Sequence, residues 1–459
     1  MASSLISSKN GTTPNVPPPS HITIYTTRCD EHHCFSQVKK GGILDGCVKI
    51  RASYIPPSIL GLGTVLFSNL RVLLLGLYLA FEIWITGKKY DVVVVDVLPS
   101  ALPFLKFLIP DLPLCFYCHF PDKYLVRNTV NGKQISRPSL IRRMYRYPMD
   151  WFEEFSMSHA DVVGVNSNFT KGVFREAFPA LAKIPAVVLY PAINLEDFIP
   201  PAKEGKKGGK GKVKLLSMNR FERKKNVGLA IEMMGKLKEK MREKDFERVE
   251  LVVAGGYDDK NRENVEHMEE LKTLASSNSV SSQVNFMPSV SDSTRARLLQ
   301  TSLCVLYTPD REHFGIVPLE AMYAGAPVVA VASGGPLETV KDGETGYLVE
   351  GTPEGFAEKV GELLRDEGLA EGMGKEGHKH VKGNFGLDTF KVSFEKLLRK
   401  TIDRSKMPKE MGAFEHLVFF LLVISFVYTI ANFNVWLVDF LRSRGVKPWR
   451  LDELIPNGF

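Results

Sequence analysis

Glu312 and Glu320 bracket the segment Glu312-His313-Phe314-Gly315-Ile316-Val317-Pro318-Leu319-Glu320, which follows the apolar run Leu303 to Thr308. Gly315 lets backbone approach a ligand, and Pro318 suits the first turn of a helix whose free N–H groups can hold a phosphate. Two carboxylates beside an anion site are costly unless they accept hydrogen bonds from hydroxyls or face cations. A sugar nucleotide offers both hydroxyls and phosphates. Two solvated surface glutamates are the plainer alternative, but they leave the glycine, the proline and the preceding strand as coincidence.

A second segment, Met218-Asn219-Arg220-Phe221-Glu222-Arg223-Lys224-Lys225-Asn226, follows the strand pattern Val213 to Ser217 and opens a helix. Cations at a strand end beside a helix N-terminus can clamp a pyrophosphate, arginine supplying a planar fork and lysine a point charge. A solvated charge run is the competing account. The neighbouring glutamate segment favours the clamp. By contrast, Cys115-Phe116-Tyr117-Cys118-His119 has the spacing of a haem or redox pair but lies in an apolar run from Leu112 to Phe120, so buried strand thiols are expected. Asn10-Gly-Thr12 and Asn168-Phe-Thr170 match a glycosylation sequon short enough to arise by chance.

The elements that must position these residues read as two successive α/β halves. Short β-branched runs at His21 to Thr26, Tyr90 to Val95, Leu114 to His119, Asp161 to Asn166 and Ala186 to Tyr190 have the pattern of buried parallel strands. The rhythm restarts at Val213 to Ser217, Glu250 to Ala254, Val284 to Met287, Leu303 to Thr308 and Pro327 to Val331. Two doubly wound domains facing a cleft are therefore expected, with ligands beyond the carboxyl ends of the strands. The boundaries expected are a Ser/Pro-rich tail at 1–20, a first domain at 21–200, a Lys/Gly-rich connector at 201–214, a second domain at 215–400 and a basic, apolar tail at 401–459.

The 459 residues suffice for two or three such domains at about 150 residues each. A net charge of +7 is mild for this length and much less than a dedicated nucleic-acid binder usually shows, and a basic membrane face or a phosphate-bearing ligand explains it as well as a polyanion does. Six cysteines, unevenly placed, exclude a disulfide framework and suit a reducing compartment. Two stretches are unusually apolar. Residues Leu417 to Val438 carry no charge over 22 positions and lie between basic clusters, so a membrane span, an in-plane helix or a buried core helix all remain open. Residues Ile59 to Thr86 include Arg71 and Glu82, which argue against a clean span and for a membrane-lying helix or the wall of an acceptor cleft.

The Glu-x7-Glu segment, Arg220 with Lys225, Ala254-Gly255-Gly256-Tyr257 and Ser333-Gly334-Gly335-Pro336-Leu337-Glu338 together resemble the retaining glycosyltransferases of the GT-B fold. More narrowly, Cys118-His119-Phe120-Pro121-Asp122, Asn166-Ser167-Asn168-Phe169-Thr170, Asn219 to Asn226 and Tyr307 to Gly315 resemble the eukaryotic Alg-type mannosyltransferases that add α-1,3 and α-1,6 mannose to the lipid-linked N-glycan precursor. The likeness runs from about Thr23 to about Arg399.

The resemblance implies transfer of mannose, with retention, from GDP-mannose to mannosylated chitobiose on dolichyl pyrophosphate at the cytosolic face of the endoplasmic reticulum, beside other enzymes of that pathway. It implies that Arg220 and Lys225 neutralise the donor pyrophosphate, that Glu320 holds ribose hydroxyls and that Glu312 contacts the mannose. Gly255 and the amides of Phe314, Gly315, Ile316 and Val317 would line the donor site, and His119 would face it from the first domain. No Asp-x-Asp pair occurs, so side-chain cations are expected in place of a metal cofactor. Family members normally carry a strand and a Gly-Gly-Ala-Glu-Arg-like turn before the segment matching His21 to Thr26, and this sequence has none. A catalytically weak, membrane-attached scaffold subunit and a transferase of UDP-sugars are the rival readings.

Overall fold

The computed structural model describes residues 21–29, 36–39, 41–42, 44–56, 64–125, 129–130, 133–134, 140–193 and 212–407. The chain divides into two compact units, Met1–Arg404 and Ser405–Phe459. The tail at 1–20, most of the connector and the apolar stretch 417–438 lie outside the described residues.

The strands of the first domain are β1 (Ile24–Thr26), β2 (Val48–Ile50), β3 (Val93–Asp96), β4 (Leu114–Cys118), the short β5 (Thr129–Val130) and β6 (Lys133–Gln134), β7 (Val162–Val165) and β8 (Ala186–Val188). Parallel pairing in the order β3-β4-β7-β8 makes the main sheet, while β5 and β6 form a small antiparallel hairpin. The strand expected at His21 to Thr26 is shorter than its pattern and only half-buried. It pairs in parallel with β2, in a sheet separate from the main one among the described residues. Every residue of β4 is buried, as its unbroken apolar run requires. Cys115 and Cys118 are thus free strand thiols, and burial pushes the Cys115 thiol up to about 12.

Helices pack on both faces of this sheet. On one face, Leu102, Leu105, Phe116, Val163 and Phe174 share a core with Leu79 and Ala80 of the helix Thr64–Thr86. That helix is long and apolar enough to cross a membrane by length and composition. It also packs closely on the protein: a Cβ on Gly76 would lie 2.8 Å from the Ala101 Cβ. Arg71 donates to the Ile55 carbonyl and Glu82 accepts from Tyr25 and Lys49, which is how the helix tolerates its two charges. The other face is covered by Phe390, Phe394 and Leu397 of the helix Leu387–Ser405, packed on Cys115, Tyr117, Val162 and Leu189. Residues 387–400 were expected in the second domain. Their apolar positions three and four apart instead form a stripe buried on one face of the first sheet.

The second domain is one six-stranded parallel sheet built from β9 (Val213–Met218), β10 (Val249–Gly255), β11 (Val284–Pro288), β12 (Cys304–Tyr307), β13 (Val328–Val331) and β14 (Gly346–Val349). Its order is β11-β10-β9-β12-β13-β14. The chain winds outward one way from β9 and the other way from β12, so the loops leaving those two neighbours diverge and open a crevice. The glutamate segment and the basic segment are those two loops.

Candidate active site

Lys225 comes from the loop after β9 and Glu312 from the loop after β12, and the ammonium stands 2.5 Å from Glu312 Oε2. Asn226, at φ 49°, turns the chain out of the lysine-bearing turn into the next helix, while the Thr308 hydroxyl donates to the Lys225 carbonyl at 2.8 Å and ties the two loops together. The side chains keep 15% and 18% of their surface, enough for a ligand to reach them. Burial works to raise the Glu312 pKa, but the charge and hydrogen bond of Lys225 outweigh it and hold the carboxyl below its ordinary value. Beneath them Tyr307 is buried, and desolvation first, then Glu312, pushes its phenol far up, so it stays a neutral donor.

The helix Ile316–Tyr323 starts at Gly315, whose φ of 84° is a conformation that suits glycine. A Cβ there would stand 3.1 Å from the Tyr307 hydroxyl. Among the described residues no side chain caps this helix, so its first amides lack a side-chain acceptor at the end of the loop after β12. The Phe314 ring is buried near Tyr190 and Phe385, leaving only its backbone for a ligand, whereas Ile316 is exposed. Glu320 is buried one turn into the helix, where it forms an ion pair with Arg295.

The other cations of the basic segment diverge. Arg220 is 63% exposed on its side chain and lies 3.1 Å from Glu222, its stem against Gly256. Arg223, part of the expected clamp, turns outward to Glu266 and Glu270 on the helix Arg262–Ser277, so it belongs to a surface ion network. Gly255 has a reason of its own: at φ 148° a Cβ would fall 2.0 Å from the Asn219 carbonyl oxygen. Close approach of two backbones explains that glycine without a ligand.

The first domain supplies the opposite wall. His119, just past β4, has Nε2 2.9 Å from Asp96 Oδ1, just at the end of β3, and both side chains are about half exposed. Phe120 stacks on His313 with centroids 3.7 Å apart and planes 9° from parallel. Burial lowers the His313 pKa to about 4, against the pull of Glu312 and with the push of Lys225, Lys224 and His119. The Ser167 hydroxyl donates to the His313 carbonyl at 2.5 Å. His119 and the Lys225–Glu312 pair therefore face the same space.

The structure thus brings together Lys225, Glu312, the Gly315 helix start and His119, places Glu320 behind them on Arg295, and leaves Arg220 at the solvent edge. The motif reading missed Asp96, Tyr307, Arg295 and Phe120 as parts of the site. Asp96 had a signal: it is a carboxylate closing a β-branched run at the carboxyl end of a strand. Arg295 had none, being one cation in a polar helix.

Residues 23–197 match the family Glycosyltransferase Family 4 and residues 201–380 match Glycosyl transferases group 1. The alpha-1,3/1,6-mannosyltransferase ALG2 of Homo sapiens is 38% identical over 386 residues, covering 83% of this chain and 89% of the human one. That of Dictyostelium discoideum is 38% identical over 398 residues, covering 83% and 91%. Among solved structures, a sucrose-phosphate synthase from Thermosynechococcus elongatus superposes with a TM-score of 0.57 at 19% identity, over 72% of this chain and 79% of that one, which establishes the GT-B fold. Relatives this similar over most of both chains, on a GT-B fold whose switch point carries a fixed ammonium–carboxylate pair, make this chain a member of the ALG2 family of α-1,3/1,6-mannosyltransferases.

Proposed function

We propose that the protein transfers mannose from GDP-mannose to mannosylated chitobiose on dolichyl pyrophosphate, making α-1,3 and α-1,6 linkages with retention, on the cytosolic face of the endoplasmic reticulum. The observation that carries the reading is the Lys225–Glu312 pair, set at the mouth between β9 and β12 beside an uncapped helix N-terminus. Cleaving a sugar nucleotide leaves negative charge on the departing diphosphate, and preorganised cations and amides aimed at that charge supply the largest single share of catalysis. Lys225 and the amides from Phe314 to Val317 take that role, with Arg220 adding a charge from the exposed rim. Glu312 orients mannose hydroxyls and fixes the lysine, while Glu320 accepts from the ribose. His119, its Nε2 held by Asp96, lies where leaving group and acceptor hydroxyl meet. This reading assigns no step to a bound metal.

The test is mass spectrometry of a phytanyl- or dolichyl-linked Man-GlcNAc2 acceptor incubated with the protein and GDP-mannose, with and without EDTA. Two successive hexose additions, insensitive to EDTA and competed by GDP but not UDP, are expected. No transfer, or transfer from a UDP-sugar instead, overturns the reading.

A further inference from the structure

The helix Asn168–Ala177 of the first domain begins in the cleft, and its N-terminal amides are satisfied from two sources. Ser167 Oγ accepts from the Thr170 amide at 2.9 Å, an ordinary N-cap. The two preceding amides go elsewhere. Asn168 N donates to Glu338 Oε2 at 2.8 Å and Phe169 N donates to Glu338 Oε1 at 2.7 Å. Glu338 belongs to the second domain, 170 positions away. The same carboxylate accepts from Asn168 Nδ2 and from the Tyr190 hydroxyl, each at 2.9 Å. Burial first, then Glu338, raises the Tyr190 phenol to about 12, which keeps it a donor. The Arg311 guanidinium also lies over the Phe169 ring, 5.6 Å from its centroid.

Glu338 is in turn fixed to the donor loop. Its short helix Pro336–Thr339 follows Gly334 and Gly335, and the Gly335 amide donates to the Glu312 carbonyl at 2.7 Å. A Cβ on Gly334 would stand 2.3 Å from that same oxygen, and one on Gly335 2.1 Å from the Phe314 oxygen. No side chain fits between the two backbones, so the turn that carries Glu338 is held against the loop that carries Glu312.

We propose that Glu338 is an interdomain clasp and a positioning residue for glycosyl transfer: its carboxylate caps the Asn168–Ala177 helix from across the cleft, and so sets the first domain, with His119, against the donor loop. Two main-chain N–H groups and a full negative charge at a helix N-terminus make a strong, directional contact. Opening the cleft exposes all of these groups to water, so the clasp biases the domains toward the arrangement seen here, at an energy that solvent can repay. The Asn168-Phe-Thr170 sequon is accounted for by this contact, because the Asn168 amide group is committed to Glu338 and Tyr190.

The catalytic half of this inference rests on the glycosyl-transfer reading above, and the test separates the two. Wild type, Glu338→Gln and Glu338→Ala are compared by hydrogen exchange of residues 168–174 and by steady-state kinetics with GDP-mannose and the lipid acceptor. Glu338→Ala is expected to speed exchange of that segment about tenfold and to lower kcat about tenfold, with KM for GDP-mannose within about threefold of wild type and an unchanged thermal midpoint. Glu338→Gln, which keeps an acceptor oxygen but no charge, should fall between. Wild-type exchange in Glu338→Ala overturns the clasp. Faster exchange with wild-type kcat reduces it to a local cap and overturns the positioning role, as does a kcat loss that merely follows a lowered thermal midpoint. If the wild-type protein itself transfers no mannose, the functional reading fails, and exchange alone still decides whether the clasp exists.

Discussion

A lysine ammonium held against Glu312 carries its charge in a fixed place before any diphosphate arrives, so little reorganisation is needed as the sugar–phosphate bond breaks. Replacing Lys225 by alanine is expected to cost roughly 2 to 4 kcal/mol of transition-state stabilisation, read as a fall in kcat larger than any change in KM. Unchanged turnover would remove Lys225 from the mechanism. A second consequence at this scale belongs to His313. Its pKa is lowered from 6.5 to about 4 in the fold, so between those values the unfolded chain binds the extra proton and the native one does not. Stability is then present above pH 6.5 and falls as pH drops toward 4, by roughly 3 kcal/mol from this group. His313→Phe keeps a ring on Phe120 and the backbone bond to Ser167, and should flatten that slope in denaturant titrations from pH 6.5 to 4.5. An equally steep slope in the variant would place the acid sensitivity in other groups.

Between residue and domain, long-range carboxylates finish what short helices leave open. Glu153, on the helix Leu140–Ser158, accepts from the amides of Asp122 at 2.8 Å and Lys123 at 3.1 Å, and so caps the turn that follows His119 and Phe120. Burial raises its carboxyl to about 7 despite those two bonds. A folded pKa above the unfolded one means stability that is full below about pH 4.5 and is lost as pH rises through 7, opposite in sign to the His313 slope. Glu153→Gln should abolish this decline, whereas Glu153→Ala should cost about 1 to 2 kcal/mol near pH 4.5 by uncapping two amides, a cost that shrinks as pH rises through 7. An alanine variant as stable as wild type would show that the cap is idle. Such pairings mark the limit of what the sequence discloses. The strands ending at Asp96, Cys118, Met218 and Tyr307 were legible as β-branched or apolar runs, and with them the crevice that β9 and β12 flank. Val48–Ile50 and Gly346–Val349 were not, being three and four residues long with no sustained pattern. Nothing local in Leu337-Glu338-Thr339 announces a partner 170 positions earlier, because side-chain direction across a cleft depends on how two domains dock.

For the whole molecule, the helix Leu387–Ser405 marks how far toward the C-terminus the packed fold extends among the described residues. Phe390, Phe394 and Leu397 are nearly fully buried on the first sheet, so ending the chain before Leu387 would bare Cys115, Tyr117 and Val162. Losing two buried phenylalanines and a leucine at about 3 to 5 kcal/mol for each aromatic exceeds the stability of an ordinary domain's margin, and such a truncation should not fold. Ending it after Pro408 spares every one of these contacts and removes the 22 uncharged residues from Leu417 to Val438. That shorter chain should keep its thermal midpoint and GDP-mannose binding while shifting largely from the carbonate-resistant membrane fraction to the soluble one. A residue of membrane affinity is expected to persist through Leu66, Phe81, Trp84 and Ile85, the exposed apolar positions of the helix Thr64–Thr86, and to weaken when Trp84 and Ile85 are changed to serine. If the truncated chain still resists carbonate fully, the attachment lies in the first domain, and the apolar tail serves some other purpose.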